Sequence, residues 1–171
     1  MKTSVSIEGL NELRIALRRL PEELQKNELA KAVRKGAQTT QADAVARAPF
    51  LMKPDPRRKS GLLKSAIKAT AGRRNGNVGS AFVYVRMLAK SQISKFKKAM
   101  AKAGKRVKGA ANPDDPFYWR FVEFGTSKMA AKPFLRPAFE HTKMQAAERI
   151  KEALREGVER QAAKVAGRKF K

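Results

Sequence analysis

A short segment in the last third of the chain combines aromatic residues, glycine and proline in a way that constrains backbone direction. It runs from Phe117 to Thr126, contains the single Trp, and is followed by Lys132-Pro133-Phe134-Leu135-Arg136-Pro137. Gly125 suits a turn with positive φ, which residues with a Cβ rarely adopt. Pro133 and Pro137 favour extended backbone before them, and Pro137 is well placed to start a final helix. The segment therefore predicts a structural corner.

The side chains of this segment lead to two further expectations. Phe121 and Phe124 are large and apolar, so we expect both to be buried. Glu123 stands out because a carboxylate among aromatic side chains needs a partner. Arg120 and Arg136 are the nearest cations in the sequence, so we expect Glu123 to pair with one of them.

Hydrophobic spacing predicts an α+β fold in which a small antiparallel sheet packs with a long N-terminal helix and a long C-terminal helix. Leucines three and four residues apart indicate a short helix over residues 9–20, and a second helix follows from Pro21 to Ala48. An Asn75-Gly76 pair precedes a β-rich run from Val78 to Leu88, which predicts a β-hairpin. The last helix is expected from Pro137 to about Ala166.

We interpret residues 1–171 as one domain with two basic additions. Residues 90–111 form a basic insertion, expected to be an exposed helix or half-ordered, and residues 167–171 form a flexible basic tail. A short helical turn is expected between Ser60 and Ile67, with Ser60 as its N-cap.

The chain is strongly basic, because 39 Lys and Arg residues face only 15 Asp and Glu residues and give a formal charge of +24. A charge of this size favours acidic partners, with nucleic acid first among them. Three interpretations of the basic insertion stay open: a solvated helix face, sequence-independent contact with DNA, or contact with an acidic protein surface. The insertion holds eight cations and no acidic residue; the cations are Lys90, Lys95, Lys97, Lys98, Lys102, Lys105, Arg106 and Lys108.

Residue types that support catalysis are scarce. His141 is the only histidine, cysteine is absent, and Asp114-Asp115 between two prolines is typical of a turn. We therefore predict that the protein is not an enzyme and uses no metal or other cofactor. No apolar run approaches the ~20 residues that cross a bilayer, and the first residues lack the apolar run of a signal peptide, so we expect no membrane partner.

Four pieces of the sequence resemble one phage family, the gene-product-ten-like tail components of lambda-like siphophages, which are related to tail-completion and virion-morphogenesis proteins. Ser60 stands where the family usually has Thr, and the basic insertion departs from the family's pattern. The four pieces are Gly9-Leu10, Ala48-Pro49, Ser60-Gly61-Leu62-Leu63-Lys64-Ser65-Ala66-Ile67, and Val122-Glu123-Phe124-Gly125-Thr126 with Pro133-Phe134-Leu135-Arg136-Pro137-Ala138.

The resemblance implies a structural virion protein that assembles as a ring, expected to be hexameric, in the phage neck or at the top of the tail. Such a ring would join the tail tube or a terminator protein to the head connector, and its lumen would let the genome pass. Completion factor, terminator and stopper all stay open, since these roles differ in partners rather than chemistry. Assembly would take place in the host cytoplasm. The residues carried over as the structural or assembly motif are Phe121, Glu123, Phe124, Gly125, Pro133, Phe134, Leu135, Arg136 and Pro137.

Within such a ring we expect basic residues on the lumen, the loops or the head-facing side. Phe124, Phe134 and Leu135 would hold the fold or the contact between subunits. The competing hypothesis, argued from charge alone, is a stand-alone protein that binds nucleic acid without sequence preference.

Overall fold

The computed structural model describes residues 9–50, 59–74, 77–108 and 112–168. The chain is α+β, as predicted, and its described residues form a two-stranded antiparallel sheet and long N-terminal and C-terminal helices. The elements of the described residues, in chain order, are α1 (Leu10–Arg18), α2 (Glu22–Arg47), α3 (Leu62–Ala66), β1 (Ile67–Arg74), β2 (Asn77–Val85), α4 (Lys90–Lys102), α5 (Trp119–Phe124) and α6 (Leu135–Arg168).

The described chain divides into two compact units, and the boundaries fall inside α2, both strands and α6. One unit holds α1, α2 up to Asp43, the Ala69–Val83 stretch, and α6 from Phe139 onward. The other holds Ala44–Lys68 and Tyr84–Ala138. The expectation of a single domain over residues 1–171 stays a prediction.

In the first unit, α2 and α6 pack closely because small residues line their contact. Ala32, Ala153 and Leu154 are buried together, and Leu29 packs against them. A Cβ on Gly36 would lie only 2.8 Å from the Ala146 carbonyl oxygen of α6. The small residues of α2 therefore permit a helix–helix distance that larger side chains would prevent.

Glu28 of α2 is a buried carboxylate in this contact, with 1% of its surface exposed. Lys31 Nζ and Gln161 Nε2 donate hydrogen bonds to Glu28 Oε1 at 2.8 and 2.9 Å, and Arg160 Nη2 donates to Oε2 at 3.0 Å. Burial alone would raise the pKa of Glu28, but the hydrogen bonds from Lys31, Gln161 and Arg160 together with the Lys31 charge lower it. Gly157 leaves the space, since a Cβ there would lie 2.6 Å from Glu28 Oε2.

The strands β1 and β2 form the predicted hairpin, and its expected turn at Asn75-Gly76 lies outside the described residues. The short helix α3 comes directly before β1 and begins after its N-cap, Gly61, which has a φ of 74°. The prediction that Ser60 is that cap was wrong. No described helix has an apolar stretch long enough to cross a bilayer.

The last helix begins two residues earlier than predicted, at Leu135, and runs through Arg168. Gly167 and Arg168 are therefore helical, although they were assigned to a flexible tail. Residues 169–171 lie outside the described part of the chain, as do residues 109–111 of the basic insertion.

Candidate functional site

The corner segment, residues 117–137, contains the short helix α5, which begins at Trp119 and has six residues. Gly125 ends α5 with φ 74° and ψ −179°, a backbone conformation that is essentially restricted to glycine. A Cβ on Gly125 would also lie 2.9 Å from the backbone nitrogen of Ala131 and 3.0 Å from the carbonyl oxygen of Met129. The predicted requirement for glycine is confirmed, on conformational and on steric grounds.

The chain after Gly125 turns back on itself and returns to α5. Thr126 and Met129 form a β-bridge through N–H···O distances of 2.9 and 3.2 Å, and Thr126 Oγ1 accepts a bond from the Lys128 N–H group. The Lys132 N–H group then donates to the Val122 carbonyl oxygen at 2.8 Å. These bonds bring the start of α6 alongside α5.

Glu123 caps the N-terminus of α6 from outside the helix. Its Oε2 accepts hydrogen bonds from the backbone N–H groups of Phe134 and Leu135 at 2.8 and 3.0 Å, and its Oε1 accepts one from the N–H group of Arg136 at 3.0 Å. The side chain is buried, with 6% exposed. A helix N-terminus leaves such N–H groups without partners inside the helix and carries partial positive charge, so a carboxylate is well suited to it.

Pro137 completes this arrangement. The N–H group of Phe134, just before α6, and the first two N–H groups of the helix, those of Leu135 and Arg136, all donate to Glu123. The next residue, Pro137, has no N–H group, and the Ala138 N–H group makes the first bond within the helix, to the Phe134 carbonyl oxygen at 3.3 Å. Every N–H group in the first turn of α6 is thereby accounted for.

The prediction that Glu123 pairs with the side chain of Arg120 or Arg136 was therefore wrong. Backbone donors take the place expected for a guanidinium, and Arg136 contributes its backbone N–H group rather than its side chain. The Arg120 guanidinium instead lies over the Trp119 ring, 5.5 Å from its centre. Arg136 is also helical, although a proline after it predicted extended backbone.

Burial in the corner segment differs from the prediction. Phe134 is completely buried, and Leu135 is half-buried. Phe121 and Phe124, which were expected to be buried, are 48% and 75% exposed. Met129 in the following turn is exposed as well. The segment thus holds large apolar side chains in solvent on a backbone that hydrogen bonds and a glycine turn fix in place.

The basic insertion forms α4, an amphipathic helix that contains no fully buried residue. Ile93, Phe96 and Met100 are half-buried and share one side, as their three- and four-residue spacing requires. The expectation of an exposed helix is confirmed for Lys90–Lys102. Lys95, Lys98 and Lys102 lie opposite this apolar side, and Lys90 and Lys97 lie at its edge beside Ile93. Together the five exposed lysines of α4 define the lysine face: Lys90, Lys95, Lys97, Lys98 and Lys102.

Beyond α4 the chain leaves the helix, and the remaining predicted cations follow. The Lys105 N–H group donates to the Met100 carbonyl oxygen at 2.9 Å, which closes the end of the helix. Lys105, Arg106 and Lys108 are all exposed. All eight predicted cations are thus exposed, and they lie between residues 90 and 108 of the second unit.

The other polar residues singled out from the sequence have ordinary structural contacts, except that Asp115 is buried and its Oδ1 has no hydrogen-bond partner among the described residues. His141 Nδ1 lies 3.3 Å from Asp43 Oδ1, and Asp114 forms an ion pair with Lys59. The Asp114 N–H group also donates to Asn112 Oδ1, as in a typical turn. Within the described ranges, no group of three or more histidine and acidic side chains is placed to hold a metal ion.

Comparison of the chain with protein-family models, with curated proteins and with solved structures found no match.

Proposed function

We propose that this chain is a structural phage protein of the neck or tail top, which forms a ring, expected to be hexameric, around a lumen for the genome. The observation that carries the proposal is the exposure of Phe124 on a fixed backbone. Soluble monomeric proteins rarely expose clusters of large apolar side chains. Where such a cluster is exposed, it typically marks an interaction site. Here Phe121 and Met129 are exposed beside Phe124 in the same segment.

The proposed subunit contact uses this apolar patch, and Glu123 and Gly125 hold it in position. Aromatic residues in the centre of an interface commonly contribute most of the binding free energy. A rigid backbone lowers the entropy lost when such a contact forms. The head connector and the tail-tube or terminator protein would be the partners of the assembled ring in the virion.

Net charge sets the conditions under which a ring can form. Each subunit carries a formal charge of +24, so neighbouring subunits repel each other at low ionic strength. Salt shortens the screening length from about 30 Å at 0.01 M to about 3 Å at 1 M. We therefore expect assembly to increase with salt concentration.

Native mass spectrometry and negative-stain electron microscopy of the DNA-free protein over this salt range test the proposal. We expect a closed ring, and we expect Phe124→Ser to raise the concentration for half-assembly at least about 30-fold, which corresponds to a contact of about 2 kcal/mol. Phe139→Ser is the control, because Phe139 is also more than half exposed and lies in α6 of the first unit.

Two results would contradict the proposal. A chain that stays monomeric at every salt concentration and binds DNA with steep salt dependence would favour the stand-alone nucleic-acid-binding protein. If Phe124→Ser and Phe139→Ser weaken assembly equally, the corner segment is not the specific contact between subunits.

A further inference from the structure

The charges on α4 and α6 are arranged in opposite ways. On α6 each of four cations has an acidic partner three or four residues away: Glu140–Lys143, Glu148–Lys151, Arg149–Glu152 and Arg155–Glu159. The lysine face of α4 has no such partner in the part of the chain that the structure describes. Lysines on α4 also repel each other at the spacing Lys95–Lys98 and Lys98–Lys102.

The N-terminus of α4 adds to this imbalance. Lys90 is the first residue of the helix, where the partial charge of the helix is also positive, and the first turn has no acidic residue. An external anion would therefore offset more of this positive charge than any acidic side chain of the described chain does. We propose that the lysine face of α4 binds the phosphate backbone of duplex DNA without sequence preference.

The composition of the lysine face favours duplex DNA over an acidic protein surface as its partner. Protein interfaces are depleted in lysine and need an apolar or aromatic centre. On α4 the apolar side chains of Ile93, Phe96 and Met100 lie on one half-buried side, while Lys95, Lys98 and Lys102 project from the opposite side. Serine and alanine lie between these three lysines, so this part of the lysine face offers charge and hydrogen-bond donors but no apolar centre, and Ile93 lies only at its edge, beside Lys90 and Lys97.

Single-stranded nucleic acid fits this face less well. Proteins that bind single strands combine cations with aromatic side chains on which the bases stack. Phe96, the aromatic residue of α4, lies on the half-buried side away from most of the lysines. At about 1.5 Å per residue, α4 presents its lysines along about 20 Å, enough to meet several phosphates of a duplex.

This inference deepens the proposed function and rests on it for its setting, since the genome in the lumen would be the duplex that α4 meets. The test measures binding of the full chain to a labelled duplex of about 30 base pairs by fluorescence anisotropy across salt concentrations. One variant replaces Lys90, Lys95, Lys97, Lys98 and Lys102 by Gln, and a second replaces the same five by Arg. The control replaces five exposed cations of the first unit by Gln and so has the same net charge: Arg14, Arg18, Arg19, Arg34 and Lys164.

We expect the α4 Gln variant to bind at least about tenfold more weakly at about 0.1 M salt. Its slope of log affinity against log salt should be shallower by about 3 to 4.5, because each lost phosphate contact removes about 0.9. The Arg variant should keep the wild-type slope, and the control should change it by about 1 or less. Circular dichroism should show that the helical content of the Gln variant is not reduced, because its substitutions remove repulsion.

Several results would overturn the inference. Equal losses in the α4 Gln variant and in the control would show that net charge alone governs binding. If the α4 Gln variant binds the duplex with the affinity and salt slope of the wild type, the lysine face is not the DNA-binding site. If poly-L-glutamate competes as strongly as unlabelled duplex at equal charge, an acidic protein surface is favoured as the partner. If a single strand binds more tightly than the duplex, duplex DNA is excluded as the preferred ligand.

Native mass spectrometry of the same variants separates this inference from the proposed function. A ring that binds DNA independently of α4 contradicts only the inference. A monomer whose DNA binding requires the lysine face contradicts only the ring.

Discussion

Replacement of Glu123 tests whether a single carboxylate holds the corner segment together. Glu123→Ala removes the acceptor for three backbone N–H groups at the start of α6, at donor–acceptor distances of 2.8, 3.0 and 3.0 Å. A hydrogen bond to a charged group contributes about 1.5–3 kcal/mol to stability. The Phe134 donor is fully buried, whereas the other two are half-buried and regain water in part. Since such contributions do not add fully, we expect a loss of about 3–5 kcal/mol.

Glu123→Gln distinguishes the hydrogen bonds from the volume of the side chain. A glutamine keeps one oxygen acceptor, but its amide group places N–H donors against backbone N–H donors. We expect it to lose about half as much free energy of unfolding as Glu123→Ala. The matched control is Glu148→Ala, because Glu148 lies in α6 and makes an exposed ion pair with Lys151 at 3.9 Å. Such pairs contribute at most about 1 kcal/mol.

Urea unfolding followed by tryptophan fluorescence is the appropriate assay. Trp119 is the single tryptophan and belongs to α5, so its emission reports on the corner segment itself. With a slope of about 2 kcal/mol per molar urea, the expected loss lowers the midpoint by about 1.5–2.5 M for Glu123→Ala. A midpoint within about 0.3 M of the Glu148→Ala control would refute the capping role.

Three further predictions concern the glycines and the buried carboxylate of the first unit. Gly125→Val should abolish soluble, folded protein, because valine does not readily adopt the backbone conformation of Gly125 and its Cβ would clash with backbone atoms of Ala131 and Met129. A soluble variant with wild-type Trp119 emission would contradict this prediction. Gly36→Ala should lower stability by about 1–3 kcal/mol in thermal unfolding despite the higher helix propensity of alanine, because its Cβ meets α6; an unchanged melting temperature would show that the helices separate easily. The lowered pKa of Glu28 means that its contribution is present above its unfolded value of 4.5 and is lost as pH falls through the folded value. Glu28→Gln should therefore cost about 1–3 kcal/mol at pH 7, and the difference from wild type should shrink below pH 4.5 in urea titrations; a constant difference would exclude the charge as its cause.

The parts of the fold that local sequence determines were predictable. The bounds of α2 follow from Pro21 and from Ala48-Pro49, since proline starts a helix readily and disfavours helical backbone before it. The exposed helix α4 follows from its spacing and its lack of acidic residues. Glu28 was missed, because a buried carboxylate on α2 depends on partners 132 and 133 residues away. Gly157 in the middle of α6 was the available signal, since it leaves room for that carboxylate.

The wrong partner predicted for Glu123 and the wrong burial predicted for Phe124 have a common cause. Glu123 and Phe124 are neighbours on a helix of six residues, so their side chains point about 100° apart and only one of them can face α6. Average hydrophobicity favours burial of the aromatic residue, but α6 begins against α5 with three N–H groups that need an acceptor. The loss of about 3–5 kcal/mol expected without the carboxylate outweighs the roughly 1.5–3 kcal/mol gained by burying one phenylalanine. The carboxylate therefore faces inward and Phe124 faces solvent. The same requirement that stabilises the start of α6 thus produces the exposed aromatic group on which the proposed subunit contact depends.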